Sequence, residues 1–142
     1  MASARSVRTA RRRSTCAAPS RRPPSRADRA LAEERGRKAE QLAGWYLRCK
    51  GWSILGTRVK TKVGEVDLVA RRGKVLAFVE VKARATDEAA DWSLDRNRLR
   101  RVADAAAVLL PRFQGDADTV RIDVIYIVPG RLPRHLVDVW HG

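Results

Sequence analysis

The chain reads as an α/β domain in the order α-β-β-β-α-β, and three features of the sequence point to that class. Two segments carry apolar residues at helical spacing. Three short β-prone runs lie between them, bounded by glycine-containing turns. A fourth run, continuous and apolar, follows the second helical segment. The 142 residues are enough for one domain with one core.

Met1 to about Ala27 is rich in Arg, Ser, Ala and Pro and has no apolar periodicity. Pro19, Pro23 and Pro24 break any helix there, so residues 1–27 read as a disordered basic tail and 28–142 as the domain. The same composition is also that of an organelle transit peptide. The first helix is expected over Asp28 to Lys50, with Ala39, Leu42, Ala43, Tyr46 and Leu47 as one apolar stripe. Gly36 falls on that stripe and is expected to allow a close backbone approach, and Gly51 to stop the helix. Strands are expected over Trp52–Val59, Gly64–Arg71 and Val75–Arg84, the last two joined by a turn at Arg72-Gly73. The second helix shows its period in Leu99, Val102, Ala103, Ala106, Leu109, Leu110 and Phe113, with Asp95 as its N-cap. Val120–Val128 reads as a strand and Leu136–Trp140 as a short last one. Trp45, Trp52, Trp92 and Trp140 are assigned to core or edge packing rather than to base stacking.

The charge is far from the globular norm. Thirty Lys and Arg against 16 Asp and Glu leave +14, with a pI near 11.2. Such a balance favours a polyanionic partner, nucleic acid first. No apolar run is long enough to span a bilayer, so no membrane partner is expected. Cys16 and Cys49 form neither a disulfide framework nor a zinc pattern, which suits the reducing cytoplasm. His135 and His141 sit in no metal-ligand pattern.

The informative segment is a hairpin with acids in mid-strand. Glu65 and Asp67 alternate with Val66 and Leu68, and Glu80, Lys82 and Arg84 alternate with Val79, Val81 and Ala83. A strand has period two, so each set shares one face. A two-residue turn at Arg72-Gly73 pairs Arg71 with Lys74, setting Glu65 opposite Glu80 and Asp67 diagonal to Glu80. A register one residue off would bury Asp67 among Val79 and Val81, so the pattern selects this parity. Facing carboxylates repel, and a divalent cation offsets that: Mg²⁺ takes one or two carboxylates and keeps waters, one of which then has a lowered pKa. The alternative is an ion-pair network in which Lys82 and Arg84 neutralise Glu65, Asp67 and Glu80.

With those residues in place, Gly64-Glu-Val-Asp-Leu-Val-Ala70 followed by Phe78-Val-Glu-Val-Lys-Ala-Arg84 resembles the paired motif of the uncharacterised bacterial YraN-like family, grouped with the PD-(D/E)XK nucleases near archaeal Holliday-junction resolvases. The resemblance covers Gly36 to Trp140 and implies a restriction-endonuclease-like core, a central mixed sheet flanked by helices. It places Asp67, Glu80 and Lys82 at the catalytic positions. It implies a Mg²⁺ or Mn²⁺ site on Asp67, Glu80, Glu65 and, from the first helix, Glu40. Resolvase-like folds dimerise, so a homodimer is a further expectation. Three departures bear on substrate contacts: Arg58 stands where the family has Asn, Arg98 where it tends to Lys or Gln, and Asp87, Glu88 and Asp91 make the following segment acidic.

Arg96, Arg98, Arg100 and Arg101 crowd the start of the second helix, where the helix dipole disfavours cations. A phosphate-binding role for Arg98, Arg100 and Arg101, extended by Lys60 and Arg84, accounts for that crowding. The expected function is thus metal-dependent endonucleolytic hydrolysis of DNA, branched DNA included. The alternatives are a non-catalytic nucleic-acid-binding module on a nuclease-like fold and a basic RNA- or ribosome-associated protein. The last leaves the acidic hairpin unexplained.

Overall fold

The computed structural model describes residues 22–86 and 94–142. The basic tail therefore lies outside the described residues except for its last few, as do Asp87, Glu88, Asp91 and Trp92. The elements are α1 (Arg26–Cys49), β1 (Ser53–Lys60), β2 (Glu65–Arg72), β3 (Val75–Ala83), α2 (Arg96–Phe113), β4 (Thr119–Ile127) and β5 (Arg134–Leu136). They form a five-stranded mixed sheet in the order β1-β2-β3-β4-β5, in which only β3 and β4 run parallel, joined across α2.

Helix α1 starts two residues before the expected Asp28 because Ser25 and Asp28 form a reciprocal capping box. It stops where Gly51 takes φ +85° and Trp52 N–H donates to the Leu47 carbonyl, the Schellman arrangement. Its buried stripe is narrower than the sequence suggests. Ala39, Ala43, Gly44 and Leu47 are buried, Tyr46 is half-buried, and Leu42 is exposed. Small residues on that face bring the helix close to Leu68, Ala70, Ala77, Val79, Ile125 and Ile127. Nothing lies within 4 Å of where a Cβ on Gly36 would stand, so the close approach expected there is absent. It occurs at Gly64, where a Cβ would lie 3.0 Å from the Arg101 carbonyl oxygen of α2.

The other sheet face carries α2, whose Leu99, Val102, Ala105, Ala106 and Leu109 pack on Val69, Leu76, Phe78, Ile122 and Val124. Alternate residues of β3 and β4 thus enter opposite cores, and the sheet is the middle of three layers.

Two strand expectations shift. The hairpin turn is Gly73-Lys74, not Arg72-Gly73, with Gly73 at φ +58° in the first central position. Glycine is favoured there in two-residue hairpins. The last strand is Arg134–Leu136, earlier than the expected Leu136–Trp140, and its position follows from a buried acid. Asp123, fully buried on β4, accepts from His135 Nε2 (2.8 Å), Arg121 Nε (3.1 Å) and the Asp138 N–H (2.9 Å). Burial pushes the Asp123 carboxyl up, but these bonds outweigh it and hold the acid below the usual range.

Asp123→Ala is expected to leave His135 and Arg121 without their partner and to destabilise the fold by about 3 kcal/mol or more, as for other buried pairs broken on one side. Urea denaturation at neutral pH measures this, and a loss under ~0.5 kcal/mol contradicts it.

Candidate active site

The β2–β3 ladder runs from Arg72↔Val75 to Leu68↔Val79 and ends there. One step further, the same register sets Asp67 opposite Glu80. This corrects the expected pairing by one step: Glu80 meets Asp67 rather than Glu65. The odd parity inferred from the apolar pattern stands, because Val79 and Ala77 still pack with the α1 layer and Phe78 with the α2 layer.

Both acids are buried, Asp67 at 7 % and Glu80 at 4 % exposure. Two facing carboxylates repel, and the backbone pairing stops at their position. In its place Asp67 Oδ2 accepts the Val81 N–H at 2.8 Å. Alternation along β2 is lost at the same point, since Val66 and Val69 pack with the α2 layer and Leu68 with the α1 layer. Burial first, and then the charge of Glu80, push the Asp67 carboxyl from 3.8 up to about 7.

A cation already lies beside this pair. Arg98, in the first turn of α2, places Nε 2.8 Å from Glu80 Oε1 and its second nitrogen 3.5 Å from Oε2. Its backbone N–H donates to the Asp95 cap. The hydrogen bond to Glu80 raises the Arg98 pKa, with the charges of Asp67 and Glu65 adding to it. An arginine at this unfavourable end of a helix is explained by a buried carboxylate, so Arg98 does not stand as an unengaged phosphate contact. Arg100 and Arg101 are exposed on α2, and Lys60 is exposed at the end of β1. Arg84 stacks on Tyr126, 5.7 Å from the ring centre.

Lys82 is half-buried, two residues beyond Glu80 on β3, and has no ion-pair partner among the described residues. In place of the alternative network of Lys82 and Arg84, one cation from α2 meets the pair. Glu65 lies where both Arg58 and Arg98 feel its charge. Glu40 lies on the α1 side, bonded to Arg58 Nε at 2.7 Å. Among the described residues no three His, Cys, Asp or Glu side chains converge as a ligand set. The close pair is Asp67 and Glu80, whose carboxylate oxygens are the donors a hard divalent cation prefers, one or two acids with water completing the shell. In donor chemistry the pair fits Mg²⁺ or Mn²⁺, with Arg98 as competitor.

Residue order hides two participants. Arg98 lies 18 positions from Glu80, and only its presence in a first helical turn signals something unusual. Arg58 has φ +48°, a conformation in which Asn is favoured over longer side chains, so the Asn that the resemblance expects there has a backbone reason.

Because folding raises the Asp67 pKa, the native state binds more protons than the unfolded chain between about pH 4 and 7. Stability is then full below pH 4 as far as this group is concerned and falls as pH rises to 7, by up to ~4 kcal/mol. Asp67→Asn is expected to remove that slope. Thermal melts in EDTA from pH 5 to 8 test it, and parallel profiles for the two proteins contradict it.

Residues 39–127 match the model of Uncharacterised protein family UPF0102. Over 114 residues the chain is 55 % identical to a UPF0102 protein of Rhizorhabdus wittichii, covering 80 % of this chain and 97 % of that one. A UPF0102 protein of Sphingopyxis alaskensis is 57 % identical over 112 residues, covering 79 % and 97 %. One from Erythrobacter litoralis is 51 % identical with the same coverage. The acidic hairpin, Glu40 and Arg98 all fall inside the matched segment, and the chain belongs to the UPF0102 family.

Proposed function

We propose that this protein is a metal-dependent endonuclease of the PD-(D/E)XK type acting on DNA. The observation that carries the reading is the buried Asp67–Glu80 pair at the end of a strand ladder, with Lys82 two residues on and unpaired among the described residues. Burying two facing carboxylates lowers stability, and a bound cation recovers it. Asp67 and Glu80 would hold a Mg²⁺ or Mn²⁺ ion, with Glu65 at the margin. When bound, such an ion stabilises charge on the phosphoryl oxygens and lowers the pKa of nearby water. Lys82 presents an ammonium beside the same face and orients a phosphate oxygen or the attacking water. Arg98, two-fifths exposed, exchanges Glu80 for a DNA phosphate when the cation takes its place. Arg100, Arg101 and Lys60 add exposed positive charge for backbone contacts. Glu40 is held by Arg58 and joins the set only if that pair opens.

A second reading is favoured by one observation. The Arg98–Glu80 pair already neutralises the site, as expected of a nuclease-like fold that binds nucleic acid without cutting it.

Cleavage of branched and linear DNA with Mg²⁺, Mn²⁺ or EDTA separates the two. The nuclease reading expects metal-dependent cutting that Asp67→Asn and Lys82→Ala abolish. Binding without cutting on every substrate supports the module. Lys82→Ala is expected to leave the metal-free melting temperature nearly unchanged. Arg98→Met is expected to destabilise the metal-free protein by roughly 2 kcal/mol, below the 3–5 of fully buried pairs because Arg98 is partly solvated. Millimolar Mg²⁺ should then restore more stability to Arg98→Met than to wild type. An absent Mg²⁺ effect in both proteins removes the metal from the reading, and an equal one removes Arg98 as its competitor.

A further inference from the structure

On the far side of the sheet from the acidic pair, a cleft of about 290 Å³ runs between α1 and the edge strand β1. Its floor is Leu68 and Ile54, and its rim carries Arg37, Arg48, Arg58 and Trp45. Trp45 is 65 % exposed, although the sequence placed it in packing. Large aromatics are usually buried, so an exposed indole beside a cleft is informative. The Arg48 guanidinium lies 6.0 Å from the Trp45 ring centre, so the ring is flanked by a cation. Of the four charged residues on the cleft, three are Arg, and the one acid, Glu40, is already paired with Arg58. Among the described residues Arg37 has only a loose, exposed contact with Glu33 at 3.8 Å.

An exposed ring with cations around it selects a ligand that is flat and aromatic on one side and anionic on the other. In duplex DNA the bases are stacked and their faces are not available. In a single strand they are, and base stacking on aromatic side chains with arginines tracking the phosphates is how such strands are held. The cleft volume, at the lower limit of roughly 300 Å³ for ligand sites, suits one base. Leu68 on its floor follows Asp67 on β2, so the cleft and the acidic pair lie on opposite faces of the same strand.

We infer that the α1–β1 cleft binds an unpaired nucleotide of single-stranded DNA, with the base stacked on Trp45 and its phosphates held by Arg37 and Arg48. This deepens the proposed function and rests on its nucleic-acid part. It names the substrate class as DNA with an unpaired stretch.

The test is fluorescence anisotropy of the full chain, wild type and Trp45→Ala, with a labelled 12-nucleotide oligo-dT and a 12-base-pair duplex at one fixed salt concentration. Trp45 is exposed, so the variant is expected to fold, and melting temperature checks this. The expected result is a loss of about 10-fold or more in oligo-dT affinity, with duplex affinity within about twofold. Arg48→Ala should weaken oligo-dT binding and flatten its salt dependence. Equal oligo-dT affinity for wild type and Trp45→Ala, equal losses on both ligands, or no oligo-dT binding by wild type overturns the inference. If metal-dependent cleavage is nonetheless seen, the nuclease reading survives that failure. Trp45-dependent oligo-dT binding with no cleavage of any substrate keeps the cleft and rejects the nuclease.

Discussion

Two carboxylates facing each other inside a protein are an electrostatic liability, and much of this molecule is arranged around that one. The β2–β3 ladder stops where Asp67 meets Glu80, and a side-chain oxygen takes over a backbone partner at Val81. The arginine that neutralises the pair comes from the first turn of α2, the end of a helix where a cation is least welcome. That placement ties helix to sheet by charge, while Gly64 lets the β1–β2 connection approach the same helix at the Arg101 carbonyl. Packing of Leu99 and Val102 then holds the helix where Arg98 can reach Glu80. The acidic pair, the Arg98 contact and the Gly64 approach belong to one geometry.

The opposite face has a different economy. Small residues of α1 lie against Ala70 and Ala77, so the helix sits close and leaves its larger side chains outside. Trp45 is exposed for that reason: the helix face that meets the sheet is occupied by Ala39, Ala43 and Leu47, and Trp45 falls beside it. Arg58, in a left-handed backbone conformation, bonds Glu40 on this side although its register partner is Asp67. Glu40 is thereby kept apart from the Asp67–Glu80 pair. The two sides of the sheet thus present an acidic pair and a basic cleft, separated by the thickness of a strand.

On β4, beside the short edge strand, Asp123 performs a task with no counterpart in the acidic hairpin. Its three donors satisfy the carboxylate fully, and its pKa moves down where that of Asp67 moves up. Both acids are buried in mid-sheet, so burial alone does not separate them. The difference is that Asp123 faces a histidine and an arginine, and Asp67 faces another acid. One arrangement satisfies its carboxylate from three donors, and the other sets two acids against the single cation of Arg98.

Most of the chain's architecture could be read from local pattern. Helical spacing in Leu99, Val102, Ala106 and Leu109, the cap at Asp95 and the stop at Gly51 all depend on neighbours within a few positions, and they appear where expected. The parity of the hairpin was legible too, because a single-residue slip would move every side chain to the wrong face. Its step was not, since the choice between Arg72-Gly73 and Gly73-Lys74 turns on which position takes the positive φ. Family membership likewise lies in the sequence, where residues 39–127 match the family model. What tertiary structure alone decided is which charges meet. Arg98 reaching Glu80, Arg58 drawing Glu40 away, His135 closing on Asp123 and Trp45 standing in solvent are relations across 18, 18 and 12 positions or across a whole layer. Periodicity reports which face a side chain occupies, but electrostatic partners are chosen by the approach of separate elements, and no local pattern encodes that distance.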